Sequence, residues 1–246
     1  MAAGYLEVDG AMLAASVERL RLRVSERFPQ ASLAKVAATV AAVAKQAAAR
    51  AATARRPNLL LRLAVGVLLV AMAVGIARVA RELRVHDEDV RNVTTFAQFF
   101  QAALGSVVML GGAAAFLVNL EDRLRRRKVL AAVHELRALA HIIDMHQLTK
   151  APDHFLPGAR PTSHSPAQKY TPYELGRYLD YCAELLAMVG KIGVVYAAGS
   201  ADPVTLDAVD QIEDLTTGLS RKVWQKLALL NEIAGPQAVP PASAAS

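Results

Sequence analysis

From Asn92 to Leu120 the chain carries no charged residue. This run is longer than the roughly 20 residues a helix needs to cross the hydrocarbon core of a bilayer. In lipid every backbone amide must find its partner within the segment, which restricts such a stretch to helix. Phe96, Phe99 and Phe100 stand at its entry. Glu121, Asp122, Arg123, Arg125, Arg126, Arg127 and Lys128 close it, the placement expected of interfacial anchors.

A second apolar run lies between Arg62 and Arg78. Alone it is short for a span, but Asn58 to Leu61 extend it backwards and Val79 and Ala80 forwards. The arginines at its ends can snorkel, keeping the charge at the headgroups while the stem stays in the apolar phase. Together the two runs predict a transmembrane hairpin over 58–121, with spans at about 58–80 and 95–120. Lys45, Arg50, Arg55, Arg56 and Arg62 precede it and Arg123 to Lys128 follow it, whereas the connection holds Arg78, Arg81, Arg84 and Arg91. This basic bias places both termini in the cytoplasm, in a bacterial-type inner membrane. No basic n-region precedes Glu7 and Asp9, so the first span itself is expected to direct insertion.

Small residues recur four apart at Ala71 and Gly75, Ala102 and Ser106, and Gly111 and Ala115. That spacing lets helix backbones approach closely in lipid. Gln98, Gln101 and Asn119 lie near the ends of the second run, where they can bond across the hairpin or, in an oligomer, line a pore.

Outside the hairpin, apolar residues recur at spacings of three and four, the period of an amphipathic helix. Leu13, Val17, Leu20 and Val24 form one stripe and Leu33, Val36, Val40, Val43 and Ala47 the next, an N-terminal helical pair within 1–57. Val129, Val133, Leu136, Ala140 and Ile143 continue the pattern in a juxtamembrane helix over 122–150. A proline-bearing loop, 151–170, leads to Thr171-Pro172-Tyr173-Glu174, a capping box with proline at the first helical position. Leu175, Leu179, Cys182, Leu186, Val189, Gly193 and Tyr196 then form one stripe. After Gly199 and Asp202-Pro203, Val209, Ile212, Thr216, Leu219, Val223, Leu227 and Leu230 form another. The short link makes 171–235 a helical hairpin, and the tail 236–246 is expected to be disordered. No alternating strand pattern competes. The expected fold is all-α: a two-span transmembrane helical hairpin with a cytoplasmic helical bundle built from the N- and C-terminal amphipathic helices.

The chemical signals are sparse. One cysteine, Cys182, excludes an internal disulfide and a multi-cysteine zinc site, and its stripe position marks it as a small buried residue. With a net charge of +6 but only 5% aromatic residues, a nucleic-acid interface is not expected. There is no phosphate-binding glycine loop, nucleophile elbow or dinucleotide fingerprint, so neither an enzyme nor a cofactor is expected.

His134, His141 and Met145 fall on nearly one helix side, with Asp144 three beyond His141. His134, His141 and Asp144 are the candidate metal ligands. Leu130 and Leu148 flank that side, which favours a packed interface containing histidines. His134-Glu135-Leu136-Arg137 resembles the phospho-acceptor box of sensor histidine kinases over four residues, which would make His134 the phospho-acceptor. Ala138 and Leu139 replace the usual threonine or asparagine and the proline, no glycine-rich ATP-binding region follows, and the match is taken as coincidental. The favoured expectation is a membrane-anchored interaction protein that contacts the lipid bilayer and itself or a protein partner. An oligomeric pore is the alternative, and a metal sensor or enzyme ranks third.

Overall fold

The structure, a computed structural model, describes residues 8–54 and 93–235 except 161 and 168, with scattered helical positions between 63 and 81. The side chains at 54, 93–99, 102, 103, 106, 117, 118, 121 and 234 fall outside the description. So do the start of the first expected span, the connection over 82–92 and the tail 236–246. The chain divides into two compact units: Met1–Arg55 with Lys128–Ser246, and Arg56–Arg127.

Among the described residues the fold is all-α. Helices α1 (Gly10–Arg27), α2 (Ser32–Ala54), α3 (Val93–Leu148), α4 (Pro172–Ala197) and α5 (Pro203–Ala234) account for the regular structure, with a 3₁₀ turn at Pro152–Phe155. Asp9 starts α1 by accepting from the Ala11 amide at 2.8 Å. At α4 the expected capping box forms in full: the Thr171 hydroxyl accepts from the Glu174 amide at 3.2 Å, and the Glu174 carboxylate accepts from the Thr171 amide at 2.8 Å. Gly199 then adopts φ 73°, a left-handed turn costly for any residue with a Cβ. Asp202 caps α5 by accepting from the Thr205 amide at 3.0 Å.

These caps contribute ~1 kcal/mol each. Burying a leucine or valine contributes ~1.5–3 kcal/mol, so the core dominates. It is built from the expected stripes. Leu13, Val17, Leu20 and Val24 of α1 and Leu33, Val36, Val40, Val43 and Ala47 of α2 are buried, as are Leu175, Leu179, Cys182, Leu186, Val189 and Tyr196 of α4. On α5, Val209, Ile212, Thr216, Leu219, Val223 and Leu230 are buried and Leu227 partly so. Helices α1 and α2 pack as a pair, both meet α4, and α4 packs along α5. The N-terminal pair and the C-terminal hairpin thus form one helical bundle.

Two close approaches fix its geometry. A Cβ added at Gly10 would lie 3.1 Å from Ala48 Cα and 3.2 Å from Val195 Cγ1, so α1, α2 and α4 meet at a position that admits only glycine comfortably. At Gly190 an added Cβ would lie 2.9 Å from Thr216 Oγ1, where α4 and α5 cross. Phe28, at the α1–α2 turn, sets its ring edge-on to Tyr170, Tyr178 and Tyr181, with centroids 5.5–6.2 Å apart. Lys150 adds its ammonium 5.2 Å from the Tyr170 ring centroid.

Two expectations change. Helix α3 is one element from Val93 to Leu148; it does not break at Glu121. Apart from Asp122, Glu121 to Lys128 holds good helix formers and no glycine or proline, so charge alone gives the backbone no reason to stop. Second, among the described residues no helix is long and apolar enough to cross a membrane. The described residues therefore do not support the two-span hairpin.

Candidate functional site

The C-terminal half of α3 presents two unlike faces. Val133, Leu136, Ala140, Ile143 and Gln147 are buried. Leu136 reaches α4, its Cδ1 lying 3.7 Å from a Cβ built at Gly193, and Arg137 donates to Gln211 of α5 at 3.0 Å. Ala131, His134, Ala138, His141, Met145 and Leu148 are exposed. These six are spaced alternately by three and four, the pattern of a seam that packs against another helix.

The sequence placed His134, His141 and Met145 in a packed interface with Leu130 and Leu148. Within this chain that is corrected: Met145 is 65% exposed and Leu148 59%, and both histidines face outward. The reason is angular. Each exposed position from Ala131 to Met145 stands two residues before a buried one, and two residues turn a helix by about 200°. The stripe through Leu136 and the stripe through His134 are therefore on opposite sides, and the bundle covers only the first.

The candidate ligands do not converge. Asp144 accepts from Gln147 Nε2 on its own helix at 2.6 Å. Among the described residues no three or more histidine, cysteine, aspartate or glutamate side chains gather as a metal site. Asp207, Asp210, Glu213 and Asp214 are all exposed along α5. Of the tyrosines, Tyr178, Tyr181 and Tyr196 enter the core, while Tyr173 and Trp224 stay largely exposed.

A polar cluster at the end of α3 escaped sequence reasoning. Lys226 of α5 donates to the Gln147 carbonyl at 2.7 Å, an oxygen of the last helical turn that also accepts from the Lys150 amide at 3.1 Å. Burial holds the Lys226 pKa below its ordinary value, opposed by the carboxylate of Asp144. Gln147 is 1% exposed, and its Oε1 is buried with no hydrogen-bond partner among the described residues. Its position was legible: Gln147 continues the stripe Leu136, Ala140, Ile143 by one more step of four. Cys182 is fully buried, and burial pushes its thiol up to about 12. No thiolate chemistry is available there near neutral pH.

In the unit Arg56–Arg127 the small residues expected to pack are exposed where described: Ala71, Gly75, Gly111 and Ala115. A Cβ added at Gly75 or Gly111 meets nothing within 4 Å among the described residues. Ala102 and Ser106 lie outside the described side chains. Asn119 turns inward on its own helix, its Nδ2 donating to the Ala115 carbonyl at 2.8 Å.

No protein-family model, curated protein or solved structure matches this chain.

Proposed function

We propose that this chain is a membrane-anchored helical interaction protein whose bundle self-associates through the exposed seam of α3. The observation that carries the anchor is the surface of the unit Arg56–Arg127. Leu63 is 63% exposed, Val70 63%, Phe100 61%, Val108 66%, Met109 79% and Phe116 65%. Exposed apolar residues in this number are unfavourable in water, and they mark a membrane or protein contact. Bilayer hydrocarbon suits it best, because the uncharged sequence from Asn92 to Leu120 has the length of a span. Several side chains of that run, at 102, 103, 106, 117 and 118, lie outside the described set within which no spanning helix is found.

The interaction face rests on Ala131, His134, Ala138, His141, Met145 and Leu148, a seam that the chain's own bundle leaves uncovered. Two experiments separate the parts. Full-length protein in cell membranes should resist extraction by alkaline carbonate and yield to detergent; release by carbonate removes the anchor. In uncharged detergent, light scattering should give a dimer or larger assembly that Ala138→Glu with Met145→Glu reduces to a monomer. A monomeric wild type removes self-association.

A further inference from the structure

Helices α1 and α4 bring three arginines to one surface cavity. Arg23 and Arg27 stand one turn apart on α1, beside the buried Val24. Arg177 comes from α4, one turn before Tyr181. With Glu26 and Tyr181 they line a cavity of about 440 Å³. Two aromatic rings hold the guanidinium groups in place: Arg177 lies 5.0 Å and Arg23 5.8 Å from the Tyr181 ring centroid, and Arg27 5.7 Å from that of Tyr173. Guanidinium stacked on a ring keeps its in-plane N–H groups free to bond outward.

The three are not equally satisfied. Arg23 pairs with Glu184, and Arg177 pairs with Asp180 at 2.6 Å. Arg27 donates to the Tyr173 hydroxyl at 3.3 Å, and among the described residues its partners are phenols and no carboxylate. Arg27 and Arg177 stand close enough to repel one another. Each guanidinium has five N–H donors, and the contacts above occupy only some of them. A compact dianion placed between them would relieve the repulsion and use the idle donors, since planar forks match phosphate oxygens.

We propose that Arg23, Arg27 and Arg177 form a binding site for a phosphomonoester group, either free in solution or carried on a lipid headgroup, with Arg27 as the central donor. The competing role for Arg27 is structural: it is the last residue of α1, where a cation is favoured by the helix dipole.

The test uses the full-length protein in uncharged detergent at constant ionic strength. In one arm inorganic phosphate is titrated by calorimetry; in the other the micelles are doped with phosphatidate or with phosphatidylcholine. Saturable binding of inorganic phosphate supports a free ligand, and binding of phosphatidate alone supports a headgroup. In either case Arg27→Gln and Arg177→Gln should each weaken binding at least tenfold, while Arg19→Gln, outside the cavity, leaves it unchanged. Circular dichroism establishes that each variant is folded, and if Arg27→Gln is not, Arg177→Gln decides. Absence of saturable binding in both arms overturns the site, as does binding that both variants retain. Loss of stability in Arg27→Gln with unchanged binding in Arg177→Gln gives the purely structural role.

Discussion

Gly190 and Gly111 both sit inside helices, yet a methyl group added at the first would press on Thr216 Oγ1 at 2.9 Å and at the second would meet nothing within 4 Å among the described residues. The same contrast runs through the two units. In the bundle, leucines and valines placed every third or fourth residue are covered by one another. In Arg56–Arg127 the apolar residues occur at similar density, but Val108, Met109 and Phe116 are left open. Apolar content alone does not make a core. The bundle alternates it with charge, so each helix has an inside and an outside. The run Asn92–Leu120 is uncharged throughout, so it has no charged face to set against an apolar one.

The largest effect that would sharpen this contrast is a charge placed in each region. Leu186→Asp puts a carboxylate at a fully buried position of α4, at a cost of several kcal/mol. The bundle should lose its protease-resistant core in the full-length protein. Val108→Asp should leave that core intact and instead lower the fraction retained in membranes. Equal protease sensitivity in both variants would erase the distinction between the units.

Next comes the contrast between the two faces of α3. Leu136→Ala removes a fully buried side chain and should cost ~2–5 kcal/mol in a denaturant titration. Met145→Ala, on the exposed side, should stay within ~0.5 kcal/mol in detergent that keeps the protein monomeric. A large cost at Met145 in the monomer would mean that the exposed seam is packed after all.

The two glycines give a smaller difference of opposite sign. Gly190→Ala must displace Thr216, whose hydroxyl donates to the Ile212 carbonyl at 3.0 Å, and overpacking of this kind costs ~1–3 kcal/mol. Gly111→Ala meets open space and should gain up to ~1 kcal/mol from helix propensity. Thermal melts of the two variants side by side would measure it.

The smallest effect is at the capping box. Hydrogen bonds from Thr171 hold the Glu174 carboxylate below its ordinary pKa of 4.5. A depressed folded pKa means that the unfolded chain binds the proton first on acidification. The stabilisation is present above pH 4.5 and is lost as pH falls through the folded value. Glu174→Gln should flatten that part of the stability–pH curve by removing the charge-dependent stabilisation near neutral pH, and should leave stability in acid little changed.

The bundle was largely legible because its signals are redundant. At α4, the cap at Thr171, the proline at 172, the stripe from Leu175 to Tyr196 and the stop at Gly199 all specify the same element. The faces of α3 were half legible. Period alone showed two possible stripes and could not say which one the bundle covers, because that depends on where α4 and α5 lie. The arginine cavity was not legible, since Arg27 and Arg177 are 150 positions apart in the chain and meet only through the α1–α4 contact. Lys226 shows the same limit: nothing in its neighbourhood on α5 points to Gln147.

The burial of Cys182 turns the chain into its own clock. Its thiol is fully enclosed among the stripes of α4 and is held protonated to about pH 12. A thiol reagent near neutral pH can therefore react only with molecules whose bundle has opened. With no other cysteine in the sequence, the rate of modification counts those openings one by one. With a reagent that reacts faster than the bundle recloses, it would give the lifetime of the closed bundle without any mutation.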